Sequence, residues 1–318
     1  MTKSKMNLQQ SSINKKSACC SNGEETLFTF MTNVIDRLIQ LNQFGTAHNY
    51  KAAFQSFHKF RNGINLKLEH LDSVLMEDYQ TFLKTSGLTP NSISFYLRIF
   101  REVYNRAVER GFTKDQHPFK SVFTGMEKTR KRAIPITELK QIKSLDLSDN
   151  PSLNFARDVF LFLFYCRGMS FIDAAYLKKS DIRNGVLTYR RHKTGQCIHI
   201  KIIQQIRDFL ERYSSSGTEL LLPIITKPDN NERRQYESAL RKVNRNLKII
   251  GEKASLSTPL TTYVARHSWA TLASTKGIPI NIISDALGHE SIATTQIYLA
   301  SIDSSIIDQA NEIVINGL

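Results

Sequence analysis

Scarcity narrows this chain before any motif does. Cysteine is rare, four in 318 residues. Cys19, Cys20, Cys166 and Cys197 form no C-x-x-C pair and have no histidine at ligand spacing. That argues against a zinc ribbon and against a disulfide-stapled scaffold. No metal is expected, and Cys166 and Cys197 are expected to be reduced, buried thiols. No run approaches the roughly 20 apolar residues of a membrane span. The polar, lysine-dotted N-terminus lacks the apolar segment of a signal peptide. A cytoplasmic protein with no membrane partner is therefore expected. No glycine-rich nucleotide loop and no acidic cluster suited to Mg²⁺ stands out, so no cofactor is expected. Acidic residues are in the minority, 29 against 43 Lys and Arg, for a net charge of +14. That excess favours a polyanionic partner, with nucleic acid ahead of a membrane surface because no basic amphipathic helix stands out.

The remaining composition, 41% apolar, suffices for two cores of ordinary size. Residues 1–25 are Ser, Asn, Gln and Lys without periodicity and read as a flexible basic tail. From Thr26 the apolar residues recur at three- and four-residue steps. Leu27, Met31, Val34, Ile35, Leu38 and Ile39 mark one helix, ended by Gly45. Ala47, Tyr50, Ala53, Phe54, Phe57 and Phe60 mark a second. A third spans roughly 72–84. Thr89-Pro90 opens a fourth as cap and first helical residue, and Gly111 ends it. Residues 26–111 thus form a small all-α domain. Arg98, Arg101 and Arg106 on the fourth helix form either a solvated face or a phosphate grip, and the overall charge tilts the choice to the second. Residues 112–135 hold two prolines and the run Lys128-Thr129-Arg130-Lys131-Arg132, and read as a basic linker able to follow a phosphate backbone.

Residues 136–318 form a second domain. Thr137 caps a short helix. Residues 154–166 are apolar on nearly every side, as in a buried helix. Residues 181–191 and 197–202 alternate and are β-branched, and flank a turn that carries Lys193. Helices are expected at 203–213 and 231–253, the second strongly basic and including Arg241 and Arg245 as candidate phosphate contacts. Pro259 precedes a helix bearing Tyr263, Arg266, His267 and Trp269. Pro279 begins another, and 302–315 form a last one.

The densest signal is the stretch Ser284 to Tyr298. Gly288 suits the left-handed residue that closes a helix, His289 follows at once, and Tyr298 lies nine residues further on. Singly, such a tyrosine packs and such a histidine caps. Together, Leu287-Gly288-His289 and Thr295-x-x-Tyr298-Leu299 resemble the C-terminal signature of the tyrosine recombinases, the phage integrase family. The resemblance covers residues 26–318. It implies a mainly α fold: a helical, SAM-like core-binding domain and an α-rich catalytic domain with a small antiparallel β-sheet. It implies a site-specific recombinase that cleaves and rejoins DNA through a 3′-phosphotyrosine. Double-stranded DNA would be the partner, with four protomers assembled on two sites and accessory DNA-bending proteins as helpers, at the nucleoid.

The resemblance also assigns roles. Tyr298 is the nucleophile, Arg266 the family's second arginine, Lys193 the general acid to the departing 5′ oxygen, and His289 a hydrogen-bond donor to a non-bridging oxygen. These residue types suit the reaction. Guanidinium forks match the oxygens of an anionic phosphate and keep their proton, and a covalent intermediate divides one hard step into two. Two positions depart from the family pattern. The Thr-Gly-Leu-Arg-x-x-Glu box reads Arg167-Gly168-Met169-Ser170-Phe171-Ile172-Asp173 here, so serine stands where arginine is expected. Ser170 and Asp173 read as a capping box. Arg167 is expected to supply the missing guanidinium, the alternative being that it pairs with the preceding helix's last carbonyls. Tyr263 replaces a histidine. A phenol can still donate a hydrogen bond, but its pKa near 10 rules out proton exchange at neutrality. His267 is expected to pack in the core or behind the site. A type IB topoisomerase and a catalytically decayed DNA-binding architectural protein are the rival readings.

Overall fold

The computed structural model describes residues 25–127, 132–214, 217–227, 231–299 and 315, with the side chains of Ile297 and Tyr298 excepted. The expected tail before residue 25, most of the Lys128–Arg132 run and most of the helix expected at 302–315 lie outside the described residues. The chain divides into two compact units, Met1–Thr129 and Arg130–Leu318.

The first unit is built from α1 (Leu27–Gln40), α2 (Phe44–Phe60), α3 (Ser73–Thr85) and α4 (Pro90–Glu109). Local chemistry sets the starts of α3 and α4. Asp72 Oδ1 accepts from Leu75 N at 2.8 Å, and Thr89 caps α4 with Pro90 at its first position. The first turn of chain departs from expectation. α1 stops at Gln40, and Asn42 takes the left-handed conformation at φ 57°. Gly45 lies inside the first turn of α2. Asparagine can occupy that region at modest cost, so no glycine was needed there. Phe57, Tyr79 and Phe100 meet edge-on or tilted at the centre of the core, centroids 4.7 to 5.6 Å apart.

Much of the stretch expected to be linker is packed. Phe119 and Val122 join the core of the first unit. The Tyr104 hydroxyl donates to Lys114 O and accepts from Gln116 N, both at 3.0 Å. Asn91 pairs with the backbone of Glu127 in both directions. Residues 112–127 thus belong to the helical unit, because two apolar side chains and a buried phenol fasten them. On the far side Ile134 enters the core of the second unit.

That second unit contains α5 (Ile136–Ser144), α6 (Pro151–Tyr165), α7 (Phe171–Ala175), β1 (Ile182–Arg183), β2 (Val186–Arg190), β3 (Cys197–Lys201), α8 (Gln204–Tyr213), α9 (Glu232–Lys253), α10 (Thr262–Thr275), α11 (Ile280–Leu287) and α12 (Ile292–Leu299). α6 is the central post, packed against α8, α9 and α10. It starts earlier than its apolar run suggests, capped by Asn150, which accepts from Leu153 N at 3.0 Å, with Pro151 at its first position. α5 likewise starts at Ile136, which puts Thr137 inside the helix. The expected long first strand is broken at Asn184-Gly185 into β1 and β2, giving a three-stranded antiparallel sheet in the order β1-β2-β3. Leu187 faces Ile200 and Tyr189 faces Ile198, and this buried side of the sheet covers the core. Cys166 is buried as expected, but Cys197 is exposed, because it falls on the solvent face of that alternation.

Candidate active site

Four pieces of chain converge in the second unit. They are the Arg167-Gly168 turn after α6, the turn between β2 and β3, the first half of α10, and the corner joining α11 to α12. Two of them are shaped by a glycine. Gly168 has φ +69°, and a Cβ there would lie 2.7 Å from the Cα of Arg266, so only glycine lets this turn rest on α10. Gly288 closes α11 in the left-handed conformation at φ 64°, and its bare Cα admits the side chain of Arg191, whose Cδ would lie 2.5 Å from a Cβ. α12 follows, held to α10 and α11 through Leu299, Ala270, Ile283 and Leu287.

Arg266 is 4% exposed. Its Nη1 donates to Gly168 O at 2.8 Å and its Nη2 to Leu287 O at 2.5 Å. The same Nη2 lies 3.0 Å from His289 Nε2. The other ring nitrogen, Nδ1, is 2.8 Å from the hydroxyl of Thr295, which is fully buried. Burial, and then the charges of Arg266, Arg191 and Lys193, push the His289 pKa down to about 4. The ring is therefore neutral at pH 7. Tyr298 is in α12, one turn after Thr295; its side chain lies outside what is described.

A second guanidinium stands beside the first, and sequence reading missed it. Arg191 is 8% exposed and its Nη1 donates to Gly288 O. The two arginines thus hold consecutive carbonyls, Leu287 O and Gly288 O, at the end of α11. Arg191 Nε lies 3.7 Å from Asp173 Oδ2, beyond hydrogen-bond range. Arg167, the expected source of this charge, is half-buried in the turn at φ 58°. Its side chain forms no hydrogen bond or ion pair among the described residues. A signal for Arg191 was present. It continues the inward side of the alternation Leu187, Tyr189, Arg191, where a cation is out of place unless it has work to do.

Ser170 caps α7, but only half of the expected reciprocal box forms. Its Oγ accepts from Asp173 N at 3.3 Å. The Asp173 carboxylate turns instead to the hairpin, accepting from Ser170 Oγ at 2.6 Å and from His192 N at 2.7 Å. Lys193 is exposed in the turn between β2 and β3, close enough to contribute to the depressed pKa of His289. Three buried polar atoms of this one turn, Arg191 Nε, Thr194 Oγ1 and Gln196 Oε1, have no hydrogen-bond partner among the described residues. Such groups are uncommon in native interiors. Tyr263 is exposed on the first turn of α10, its ring edge-on to His267 at 4.7 Å. His267 is held near pKa 4 by burial and then by the charges of Arg132 and Arg266.

The remaining candidate cations are scattered. Arg241, Arg245 and Arg132 are exposed. In the first unit Arg106 pairs with Glu102 at 2.8 Å, Arg101 donates to Thr124 Oγ1 at 2.8 Å, and Arg98 reaches Ser94 O at 3.4 Å. Arg130 and Lys131 lie outside the described residues. Among the described residues no group of His, Cys, Asp and Glu could hold a metal ion, and no helix is long and apolar enough to cross a membrane.

Comparison with known proteins identifies the family. The family model of the phage integrase SAM-like domain matches residues 26–123, and that of the phage integrase family matches residues 136–304. Tyrosine recombinase XerA of Pyrococcus furiosus is 26% identical over 264 residues, covering 72% of this chain and 90% of the relative. Tyrosine recombinase XerC of Bacillus subtilis is 26% identical over 267 residues, covering 80% and 84%. The solved structure of a lambda integrase tetramer bound to a Holliday junction shares the fold, with a TM-score of 0.65 at 18% identity over 87% of this chain and 78% of that one. The chain belongs to the phage integrase family and is a tyrosine-type site-specific DNA recombinase.

Proposed function

We propose that Tyr298 attacks a DNA phosphate in a pocket whose positive charge comes from Arg266 and Arg191, with His289 and Lys193 completing it. The observation that carries this reading is the pair of buried guanidinia anchored on adjacent carbonyls at the corner that leads into the Tyr298 helix. An anchored fork needs little reorganisation as charge grows on the phosphate oxygens, which is where preorganised donors contribute most. Arg191 Nε, buried with no hydrogen bond among the described residues, is a donor available to such an oxygen.

The chemistry then closes without ATP. The Tyr298 phenol releases its proton to solvent water, and its oxygen forms a bond to phosphorus as the bond to the 5′ oxygen breaks. Lys193 gives that oxygen its proton. The product is a 3′-phosphotyrosine and a free 5′ hydroxyl. Attack by another 5′ hydroxyl reverses the step and restores the strand, so the number of phosphodiesters is conserved. His289, neutral at pH 7, donates a hydrogen bond and adds no charge. Tyr263 stands at the margin of the site as a hydrogen-bond donor to the DNA backbone, and Arg167 shapes the turn under Arg266.

Phosphate contacts outside the pocket fall to Arg132, Arg241 and Arg245, all exposed, and to Arg130 and Lys131. Arg98 would add to them from the first unit. Arg101 and Arg106, engaged by Thr124 and Glu102, serve the fold of the first unit more than DNA. Lambda integrase is a tetramer on its junction, and four copies of this chain on two sites are proposed by analogy, with segment 302–315 docking on a neighbouring protomer. The same reading puts the enzyme's work at the nucleoid, with DNA-bending proteins as helpers. The test uses a nicked suicide duplex built from inverted repeats sought by sequencing the DNA that flanks the coding region. Wild type is expected to form a covalent adduct and Tyr298→Phe none. An adduct of undiminished yield from the Phe variant refutes the assignment of the nucleophile. Relaxation of a plasmid without that site, at the same rate as one with it, would favour a topoisomerase.

A further inference from the structure

Each ring nitrogen of His289 meets a partner that bears on where the proton sits. Nε2 faces Arg266 Nη2 at 3.0 Å. A guanidinium nitrogen can only donate, so Nε2 presents its lone pair. The proton of the neutral ring is then on Nδ1, and the Thr295 hydroxyl 2.8 Å away accepts it. This is the reverse of what catalysis asks. If His289 serves a phosphate oxygen, as proposed above, the nitrogen on the Arg266 side must donate, because Nδ1 is taken by Thr295. A neutral ring can donate from Nε2 only as the other tautomer, with Nδ1 accepting.

The hydroxyl of threonine suits both states. It has one proton and two lone pairs, and it rotates. It can accept from Nδ1–H in the free enzyme and donate to bare Nδ1 on DNA. We propose that Thr295 is a positioning residue that lets His289 exchange one neutral tautomer for the other when a phosphate replaces it as the partner of Arg266. The exchange moves one proton from Nδ1 to Nε2 by way of solvent water, with no change in net charge. Neutrality matters here, because His289 is faced by Arg266 from α10 and by Arg191 and Lys193 from the β2–β3 turn, and a further cation among them is disfavoured. The burial of Thr295 leaves its hydroxyl little choice of partner. It stands one turn before Tyr298 on α12, so the same bond couples the nucleophile's helix to the histidine. The inference rests on the reading of His289 as a phosphate donor.

Two measurements test it. In the first, full-length protein labelled with ¹⁵N-histidine is examined by NMR at pH 7, free and on the uncleaved repeat duplex in a Tyr298→Phe background. The free protein is expected to show a protonated Nδ1 and a bare Nε2, and the complex the reverse. In the second, adduct formation on the suicide duplex is followed in a single turnover. Thr295→Val, similar in shape but without a hydroxyl, is expected to slow it about 10- to 100-fold, the effect of a buried ring nitrogen left without a partner. Thr295→Ser should restore most of the rate. A protonated Nε2 in the free protein overturns the inference, as does a Val variant as fast as wild type or a Ser variant as slow as Val. If wild type forms no adduct, the reading of the site has failed instead, and the tautomer of the free protein still decides the Thr295 bond.

Discussion

Removing Arg191 is the sharpest test of the pocket, because no motif column points to it. Arg191→Ala withdraws one of two anchored guanidinia from the proposed phosphate site. Loss of a single preorganised donor costs about 10²–10³ in rate, or about 2.7–4 kcal/mol of transition-state stabilisation. The same change strands Asp173, whose side chain is 1% exposed. Breaking a buried ion pair can cost about 3–5 kcal/mol of stability. Here the Arg191–Asp173 contact is 3.7 Å, and the carboxylate keeps its bonds from Ser170 Oγ and His192 N. The expected loss is therefore nearer the 1–3 kcal/mol of an unmade hydrogen bond, about what the released Gly288 carbonyl would cost. The two effects separate by assay. Urea unfolding reads the stability term, and single-turnover adduct formation on the suicide duplex, well below the unfolding transition, reads the rate. Arg191→Lys keeps the charge but loses the fork, and should fall between wild type and alanine. A folded Arg191→Ala protein that reacts within about threefold of wild type, where the donor term predicts at least 10², refutes the assignment. A 100-fold loss in Arg167→Ala beside it would return the role to Arg167.

Further outcomes follow from the same geometry. Gly168→Ala forces a Cβ to 2.7 Å from the Arg266 backbone at φ +69°. It should lose more than the roughly 1–2 kcal/mol of a left-handed non-glycine residue in urea unfolding, and adduct formation with it. His289 and His267 both titrate near pH 4 in the folded chain against about 6.5 unfolded. Between those values the unfolded chain binds more protons, so their contribution is fully present above pH 6.5 and is lost as the pH falls towards 4. His267→Gln should flatten part of that slope in urea midpoints taken from pH 7.5 to 4.5. Lys193→Ala should abolish cleavage of an ordinary phosphodiester but spare a substrate whose 5′ bridging oxygen is sulfur, since a thiolate leaves without a proton. Equal loss on both substrates would deny Lys193 the acid role. Binding should weaken by about 0.9 log units per log unit of salt for each phosphate neutralised, and Arg241→Ala with Arg245→Ala should reduce that slope by about two contacts.

Where a signal is local, the sequence was a sufficient guide. The starts of α3 and α4 could be read from Asp72 and from Thr89-Pro90, because a cap acts on backbone donors two or three residues away. The corner at Gly288 was legible for the same reason. Signals failed where two residue types can do one job, or where burial depends on distant chain. Asn42, and not Gly45, turns the chain after α1. Residues 112–127 look like linker until Phe119 and Val122 find a core and Tyr104 finds two backbone partners. Alternation placed Cys197 on the solvent face of β3, yet its apolar character invited the opposite expectation.

The arginine box shows the same limit at the level of chemistry. Aligning a motif assumes that each requirement of the reaction stays in its column. Charge is required in space, not in a column. In this chain the column holds Ser170, and the acidic residue three positions on holds the segment that brings a guanidinium back. Asp173 accepts from His192 N, stands 3.7 Å from Arg191 Nε, and is itself steadied by Ser170. On this reading the box no longer supplies the cation but fixes the hairpin that does, and Ser170 and Arg191 act as one replacement. Restoring the family residue alone should therefore harm the enzyme. Ser170→Arg removes the hydroxyl that steadies Asp173 and adds a further cation near Arg191 and Arg266 in a half-buried place. The single variant should lose adduct formation, and Ser170→Arg with Arg191→Ala should recover part of it. A Ser170→Arg enzyme faster than wild type would mean that the two positions are independent and that the column, not the space, carries the requirement.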